Sequence, residues 1–376
     1  MIGIPDYSGD FVREYGLEMG DKVYEKVKKT PSVWVNYFST LSSNTLPGKQ
    51  FFVDVLTLTP EESCNKYPSV RDYFDYAFFA SLSLDRIHAG EKDRKVRSQT
   101  RIKYFKQYIL GNRLFGKLHG SIMPDAVASS DKQFKHLQSV MRATLEKKIN
   151  KKIVKSIDYG QDIQKRHRVA ILDDLAIKTC PYCNRQYVAK LDIDIGKPLG
   201  DIDHFYPKSY FPLFGLSLYN FVPSCKICNS LFKSDVNADI QYPYRMARDS
   251  NLEFQISNDA GELTPGNLYG WNDDFELDVI NDPRNPLDEQ QTKREIDFFE
   301  LKAQYGIHKD YARELLYKKN VVNGMNLSMI RSCFQNQGFN VTDSEIKEIL
   351  YGFDVDHIDL TQKPLAKLTK DLYEKY

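Results

Sequence analysis

Two pairs of cysteines constrain the folding of this chain more than any other feature. They occur as Cys180-Pro-Tyr-Cys183 and Cys225-Lys-Ile-Cys228, with 41 residues between the inner cysteines. Two such turns supply four thiolates, the number and kind of ligand that a tetrahedral Zn²⁺ takes in structural sites. We therefore predict a structural zinc site with no coordination position left for a reactive water. The alternative is a thioredoxin-like redox motif, but neither pair lies in the strand–helix–strand pattern that such a motif requires.

The remaining sequence favours a cytoplasmic protein. Six cysteines in 376 residues are too few for a disulfide framework, and the remaining two, Cys64 and Cys333, are predicted to be core thiols. Residues 1–11 contain no apolar run of the kind found in signal peptides. The most apolar stretches, 51–58 and 76–84, are less than half of the roughly 20 residues that a membrane-spanning helix needs.

Charge is segregated along the chain. The whole sequence has 52 basic and 51 acidic residues, and that balance taken alone argues against a nucleic-acid partner. Residues 92–117 contain nine basic and one acidic residue (+8), and residues 132–168 contain eleven and three (+8), whereas residues 251–300 contain three and thirteen (−10). The basic blocks could contact phosphates. Alternatively, they are ordinary solvated helix faces.

Hydrophobic periodicity predicts both helices and strands. Apolar residues recur at helical spacing between residues 137 and 153, with lysines between them, so we predict a basic amphipathic helix there. Its apolar positions are Leu137, Val140, Met141, Leu145, Ile149 and Ile153. Residues 187–195 change to the alternating period of a strand, and residues 201–206 form a second predicted strand.

The last third of the chain is predicted to change from strands to helices. Short strands and turns are expected after residue 251, and helices from Glu295 onward. Thr342 and Glu345 have the spacing of a capping box, and Gly352 is the expected stop of that helix.

The segment between the cysteine pairs carries residues suited to phosphodiester hydrolysis. A histidine such as His204 can accept a proton from water near neutral pH. Hard oxygen ligands such as those of Asp203 and Asn229 fit Mg²⁺, which would stabilise the departing oxyanion. Because Asp203 and His204 are neighbours on an extended segment, their side chains point in different directions. One can then hold metal while the other addresses the water.

The stretch from Cys180 to Lys233 resembles the zinc-stabilised HNH (ββα-metal) nuclease family. The family pattern is Cys-x-x-Cys, then Asp-His, then an Asn-containing loop, then Cys-x-x-Cys followed by Asn or His. The resemblance implies that His204 is the general base and that Asp203 is a ligand of Mg²⁺ or Mn²⁺. Asn229 stands at the third position, often His in the family, and still offers an oxygen ligand.

Three further residues are assigned with this resemblance. Asn220 matches the middle asparagine and completes the predicted catalytic set, where its side chain would tie down the loop that orients the base. Lys233 follows Asn229 by one helical turn and, with Lys208, is predicted to contact the nucleic acid. A lysine at position 233 could instead be simply solvated.

The flanks resemble a larger group of bacterial HNH proteins associated with anti-phage defence. The similarity lies in Cys180–Arg185 and in residues 363–370. Some members of that group resemble nucleases whose cutting is controlled by an ATPase. The chain contains no GxxxxGK[ST] pattern, so the resemblance implies that any ATPase is a separate subunit.

Three functions are compatible with these residues. The first is a metal-dependent HNH endonuclease acting on DNA, and the second is a ribonuclease of the same chemistry that cuts tRNA or other RNA. The third is a zinc-knuckle nucleic-acid-binding scaffold with a vestigial site.

Asp354–His357 repeats the tetrapeptide Asp201–His204 without flanking cysteines, and we interpret it as a surface loop.

The predicted fold class is α+β, with a small zinc-stabilised ββα-metal (HNH) nuclease core between mainly helical N- and C-terminal regions. The predicted division is a mainly helical, basic region over 1–170 and the nuclease core over 171–245. An acidic strand-and-turn connector over 246–294 and a helical region over 295–376 follow.

Overall fold

The computed structural model describes residues 1–39, 45–120, 130–158, 160, 163, 167–188, 200–246, 250–258, 261–284, 288–322 and 324–376. The chain divides into two compact units. The N-terminal unit consists of Asp6–Ala176 and Lys190–Ile240, and the C-terminal unit consists of Met1–Pro5, Ile177–Ala189 and Gln241–Tyr376. The four predicted ranges do not coincide with these units, because the predicted core over 171–245 contributes residues to both of them.

The N-terminal unit is mainly helical. Its helices are α1 Gly9–Lys29, α2 Ser32–Phe38, α3 Lys49–Thr57, α4 Pro60–Lys66, α5 Pro68–Ser81, α6 Leu84–Ile87, α7 Arg94–Tyr108, α8 Arg113–His119, α9 Asp131–Leu145, α10 Lys151–Ile153 and α11 His167–Leu175. Side-chain caps explain several starts: Ser8 accepts a hydrogen bond at the first turn of α1, and Thr59 and Glu62 form a capping box on α4. The core of this unit is aromatic, with Trp34, Tyr73 and Phe79 fully buried.

The predicted basic amphipathic helix is present, with one irregularity. A π-helical turn over Glu146–Asn150 joins α9 to α10. The predicted apolar positions from Leu137 to Ile153 are buried except for Val140, which is 40% exposed. The buried stripe follows steps of four residues from Leu137 through Met141 and Leu145, and Val140 lies beside it.

A small antiparallel sheet completes the N-terminal unit. Strand β1 is Asp201–His204, shorter than the predicted strand over 201–206, and it pairs with β2, Phe221–Ser224. The register places Asp203 opposite Val222 and His204 opposite Phe221. Two short 3₁₀ turns, Pro212–Phe214 and Leu218–Asn220, precede β2, and a π-helical segment, Ile227–Lys233, follows it.

The C-terminal unit combines a second antiparallel pair with helices. Strand β3, Leu252–Ser257, pairs with β4, Glu276–Asn281. The helices are α12 Pro265–Leu268, α13 Glu289–Phe298, α14 Leu301–Gly306, α15 Lys309–Val321, α16 Gly324–Asn336, α17 Asp343–Tyr351 and α18 Ala366–Lys375, and a 3₁₀ turn spans Pro243–Met246. Apart from the short helix α12, the helices begin at Glu289, six residues before the predicted start. The capping box of Thr342 and Glu345 and the stop at Gly352, with φ +73°, are confirmed.

The α+β fold class is therefore confirmed at the level of mixed helices and small sheets. Cys333 is exposed, so its prediction as a core thiol is wrong, whereas Cys64 is buried as predicted. The predicted strand over 187–195 falls mostly outside the described residues, and Tyr187 forms an isolated bridge with Thr179. Within the described ranges, none of the helices has both the length and the apolar character needed to cross a bilayer.

Candidate functional site

The four cysteines of the two turns form one cluster. The sulfur atoms of Cys180, Cys183, Cys225 and Cys228 all lie within 4.8 Å of one another, and all four residues are buried. Zn–S bonds of 2.3 Å in a tetrahedron place sulfur atoms about 3.8 Å apart, so the cluster is close to the size a zinc ion requires. Four soft thiolates with no oxygen donor among them fit a structural zinc. The coarse prediction, four cysteines brought together where they could bind a metal such as zinc, is confirmed.

The first cysteine turn is held by the residue that follows it. Asn184 has φ +50°, a left-handed conformation that asparagine tolerates better than most residues, and its backbone N–H donates to the Cys180 carbonyl at 2.7 Å. Its buried side chain donates to the Leu360 carbonyl and accepts from the backbone N–H of Lys367 at 2.9 Å. The first cysteine turn and the segment 363–370 are thus in contact.

Two carboxylates of strand β1 face the π-helical segment Ile227–Lys233, which follows β2. Side chains alternate along a strand, so Asp201 and Asp203 lie on the same face. Asn229 and Lys233, four residues apart, lie on one face of the helical segment. Asn229 Nδ2 donates to Asp201 Oδ2 at 3.4 Å, and Lys233 Nζ lies 3.1 Å from Asp203 Oδ2. The helical segment therefore packs its polar face against the carboxylates of β1.

The position of Lys233 differs from both sequence interpretations. Lys233 is only 1% exposed, and its ammonium donates to the His204 carbonyl at 2.8 Å as well as pairing with Asp203. It is neither solvated nor directed to a surface where a phosphate could meet it. The four-residue spacing correctly predicted that Lys233 lies on the same helix face as Asn229, but that face packs against β1. Lys208, by contrast, is exposed, and its contact with nucleic acid stays a prediction.

His204 has a defined tautomer. Its Nε2 lies 3.0 Å from the carbonyl oxygen of Gly215, and because a carbonyl can only accept, Nε2 carries the proton and the lone pair lies on Nδ1. The ring also packs edge-on against Phe221, with centroids 5.3 Å apart. Burial lowers the pKa of His204 to about 3. The hydrogen bond to Gly215 raises this pKa, and the positive charges of Lys208 and Lys233 lower it further. The imidazole is therefore neutral near pH 7.

Asn220 acts on the loop that carries the partner of His204. Its Oδ1 accepts from the backbone N–H of Tyr206 at 2.8 Å, and its Nδ2 donates to the carbonyls of Tyr206 and Phe214 at 3.1 and 3.0 Å. Phe214 directly precedes Gly215, so Asn220 fixes the carbonyl that sets the His204 tautomer. Asn220 is fully buried. Its contacts are those of a residue that positions this loop.

The oxygen donors of this site suit a hard divalent cation. Asp201, Asp203 and Asn229 bring carboxylate and amide oxygens to facing elements, which is the ligand chemistry that Mg²⁺ prefers. Because the Asn229 amide directs Nδ2 to Asp201, its Oδ1 is the atom suited to a metal. Asp201 is half-buried and accepts hydrogen bonds from Arg168 at 3.3 Å and from Asn229.

Sequence reasoning missed the Gly215 carbonyl altogether. A backbone acceptor leaves no side-chain signal, although a glycine before the Leu218–Asn220 turn is a hint. The repeated tetrapeptide at Asp354–His357 lies in a loop, with His357 exposed, as predicted.

Comparison with known proteins returned no relatives. No protein-family model matches the chain, no curated protein matches it, and no solved structure matches it.

Proposed function

We propose that this chain is a metal-dependent endonuclease of HNH type that hydrolyses phosphodiester bonds in DNA. The observation that carries the proposal is the bond from His204 Nε2 to the Gly215 carbonyl at 3.0 Å. It leaves the lone pair of a neutral imidazole on Nδ1, and His204 lies on the same strand as the carboxylates Asp201 and Asp203. Attack of water on a phosphodiester needs a neutral, fixed proton acceptor and hard oxygen ligands for a metal, and this strand carries both kinds of group.

The proposed role of each residue follows from its contacts. His204 accepts the proton of the attacking water at Nδ1, and Asn220 and Gly215 hold its ring and tautomer. Asp203 and Asn229 are the residues that would hold Mg²⁺ or Mn²⁺. A divalent ion bound there supplies charge stabilisation for the phosphate and the leaving 3′ oxygen. The cysteine cluster would hold structural Zn²⁺ and take no part in the reaction.

The biological setting is proposed from resemblance. The similarity of Cys180–Arg185 and residues 363–370 to bacterial HNH proteins supports an anti-phage defence effector in the cytoplasm, controlled by a separate ATPase subunit. Whether cutting needs that subunit is tested by adding it to the assay.

The experiment that tests the reaction is a cleavage assay with the full chain. Supercoiled plasmid and total tRNA are incubated with protein in Mg²⁺, in Mn²⁺ and in EDTA, with and without proteins encoded beside its gene. Nicking or linearisation of the plasmid in the metal arms only is the expected result. Degradation of tRNA with intact plasmid would move the assignment to the ribonuclease.

One observation favours a second candidate, a zinc-knuckle nucleic-acid-binding scaffold. The ammonium of Lys233 already pairs with the carboxylate of Asp203, the principal proposed metal ligand. If that pair persists in the presence of Mg²⁺ and neither nucleic acid is cut, binding without hydrolysis is the better account.

A further inference from the structure

We propose that five lysines of the segment Glu146–Ile157 form a track for the phosphate backbone of duplex DNA, anchored to the loop that holds His204. The lysine track is Lys147, Lys148, Lys151, Lys152 and Lys155. The choice of DNA rests on the proposed function. The track itself rests on contacts within the N-terminal unit.

The lysines occupy the outer face of the segment. All five are exposed, while Leu145, Ile149 and Ile153 beneath them are buried. Among the described residues, none of the five lysines forms an ion pair. Their charges are therefore not neutralised from within the described part of the chain and are open to an external anion.

Asn150, at the end of the π-helical turn, points inward to the loop that follows β1. Asn150 is 2% exposed, and its Nδ2 donates to the carbonyls of Ser209 and Tyr210 at 3.3 and 3.1 Å. The hydroxyl of Tyr73 donates to Asn150 Oδ1 at 3.1 Å and also lies within hydrogen-bond distance of the Tyr210 carbonyl. The loop that begins after His204 is thus bonded to the middle of the lysine track.

A second contact lies at the end of the same loop. A Cβ placed on Gly215 would be 3.6 Å from Ile157 Cγ2, so the backbone of Gly215 packs closely against the end of the lysine segment. Gly215 is the residue whose carbonyl accepts from His204. The middle and the last residue of the 205–215 loop therefore both contact the element that carries the track. Lys208, exposed on this loop, adds a positive charge beside it.

The chemistry of the track favours a duplex over a single strand. The lysines fall in two rows with a four-residue repeat, at about 6 Å per step, so one row from Lys147 to Lys155 is about 12 Å long. That length covers three or four phosphates of one strand, which follow at about 3.4 Å along the duplex axis. Single-strand sites add aromatic platforms for base stacking, and no aromatic residue occurs between Phe134 and Tyr159. The segment offers charge alone.

The test measures binding separately from cleavage. The full-length His204→Ala chain in EDTA is titrated into a short fluorescein-labelled DNA duplex, and its dissociation constant is measured by anisotropy across a salt series. Lys147→Gln, Lys151→Gln and Lys155→Gln are then introduced together. The matched control carries Lys22→Gln, Lys26→Gln and Lys29→Gln, the same charge loss with a similar spacing on α1.

The track variant should bind about tenfold or more weakly near physiological salt, and its log–log salt slope should fall by about 2 to 3, since each lost phosphate contact removes about 0.9. The α1 control should keep the parental slope. Equal effects in the two variants, or no effect in either, would overturn the track. Single-stranded DNA or duplex RNA bound as tightly as duplex DNA would overturn the assignment of the ligand. Track-dependent binding by a wild-type chain that cuts nothing would instead refute the proposed hydrolysis and leave the track standing.

Discussion

The ammonium of Lys233 lies 3.1 Å from a carboxylate oxygen of Asp203, and the two side chains are only 2% and 5% exposed. The pair joins the helical segment after the second cysteine turn to strand β1. A buried ion pair contributes little net stability, but removal of one partner leaves an uncompensated charge in a medium that solvates it poorly. The pair therefore joins the helical segment to strand β1 while it contributes little to the net free energy of unfolding.

Lys233→Met should destabilise the protein by roughly 3–5 kcal/mol, because the carboxylate of Asp203 loses its buried partner. Urea unfolding measures the change. Adding Asp203→Asn to that variant should recover part of the loss, since the charge itself is then gone. Lys226→Met, at an exposed position just before the same helical segment, is the control and should change little. A loss below about 1 kcal/mol for Lys233→Met would mean that the pair is solvated.

Asn220→Ala should lower stability by roughly 2–4 kcal/mol, because it leaves buried backbone groups of Tyr206 and Phe214 without their partners. In the proposed nuclease it should also reduce kcat more than KM at temperatures where the variant remains folded, since the group it positions is the base. Asn336→Ala, an exposed asparagine, serves as the control. Wild-type stability and kcat in Asn220→Ala would contradict its positioning role.

Cys183→Ser should lower the zinc content of the purified protein and its melting temperature together, because a structural zinc contributes directly to folding. Metal content is measured by mass spectrometry on protein prepared without chelators. Cys333→Ser removes an exposed thiol and should alter neither quantity. Wild-type protein that contains no bound metal would show that the cluster is not a zinc site.

Asp75 provides a prediction about pH. Burial raises the pKa of its carboxyl to about 7, with a contribution from Asp72 against that of Arg71. Because the folded pKa is above the unfolded one, the stabilising contribution is present below about pH 4 and is lost as the pH rises through 7. Asp75→Asn should therefore be more stable than wild type at pH 8, and the difference should vanish by pH 4. Equal pH profiles in thermal unfolding would show that this carboxyl is not perturbed.

Local chemistry made much of the candidate site predictable from the sequence. Four thiolates in two tight turns have few stable arrangements other than a shared metal, and the capping box of Thr342 and Glu345 is a contact within one helical turn. The sequence also predicts a strand that begins at residue 201, although it does not predict the pairing of that strand with Phe221–Ser224. Each of these features depends on residues that are close in sequence or on an unusual ligand type.

The features that the sequence did not reveal depend on distant partners. Spacing placed Lys233 on the face of Asn229, but whether that face meets solvent depends on β1, about thirty residues earlier. The bond from Asn184 to Lys367 joins residues 183 positions apart and has no local pattern. The Gly215 carbonyl that sets the His204 tautomer is backbone, which any residue could supply. Tertiary packing decides such contacts, and periodicity does not encode it.

In the proposed nuclease, Nδ1 of His204 accepts the proton of the attacking water. The most direct measurement is the rate of Mg²⁺-dependent nicking of supercoiled plasmid by wild type, His204→Ala and His357→Ala, with melting temperature and zinc content recorded for each. His357 ends the repeated tetrapeptide and is exposed in a loop, so it is the matched control. We expect His204→Ala to lose at least about a hundredfold in rate, the lower range for general-base catalysis, with zinc retained, and His357→Ala to cut as wild type does. Cleavage by folded His204→Ala at the wild-type rate would contradict the account.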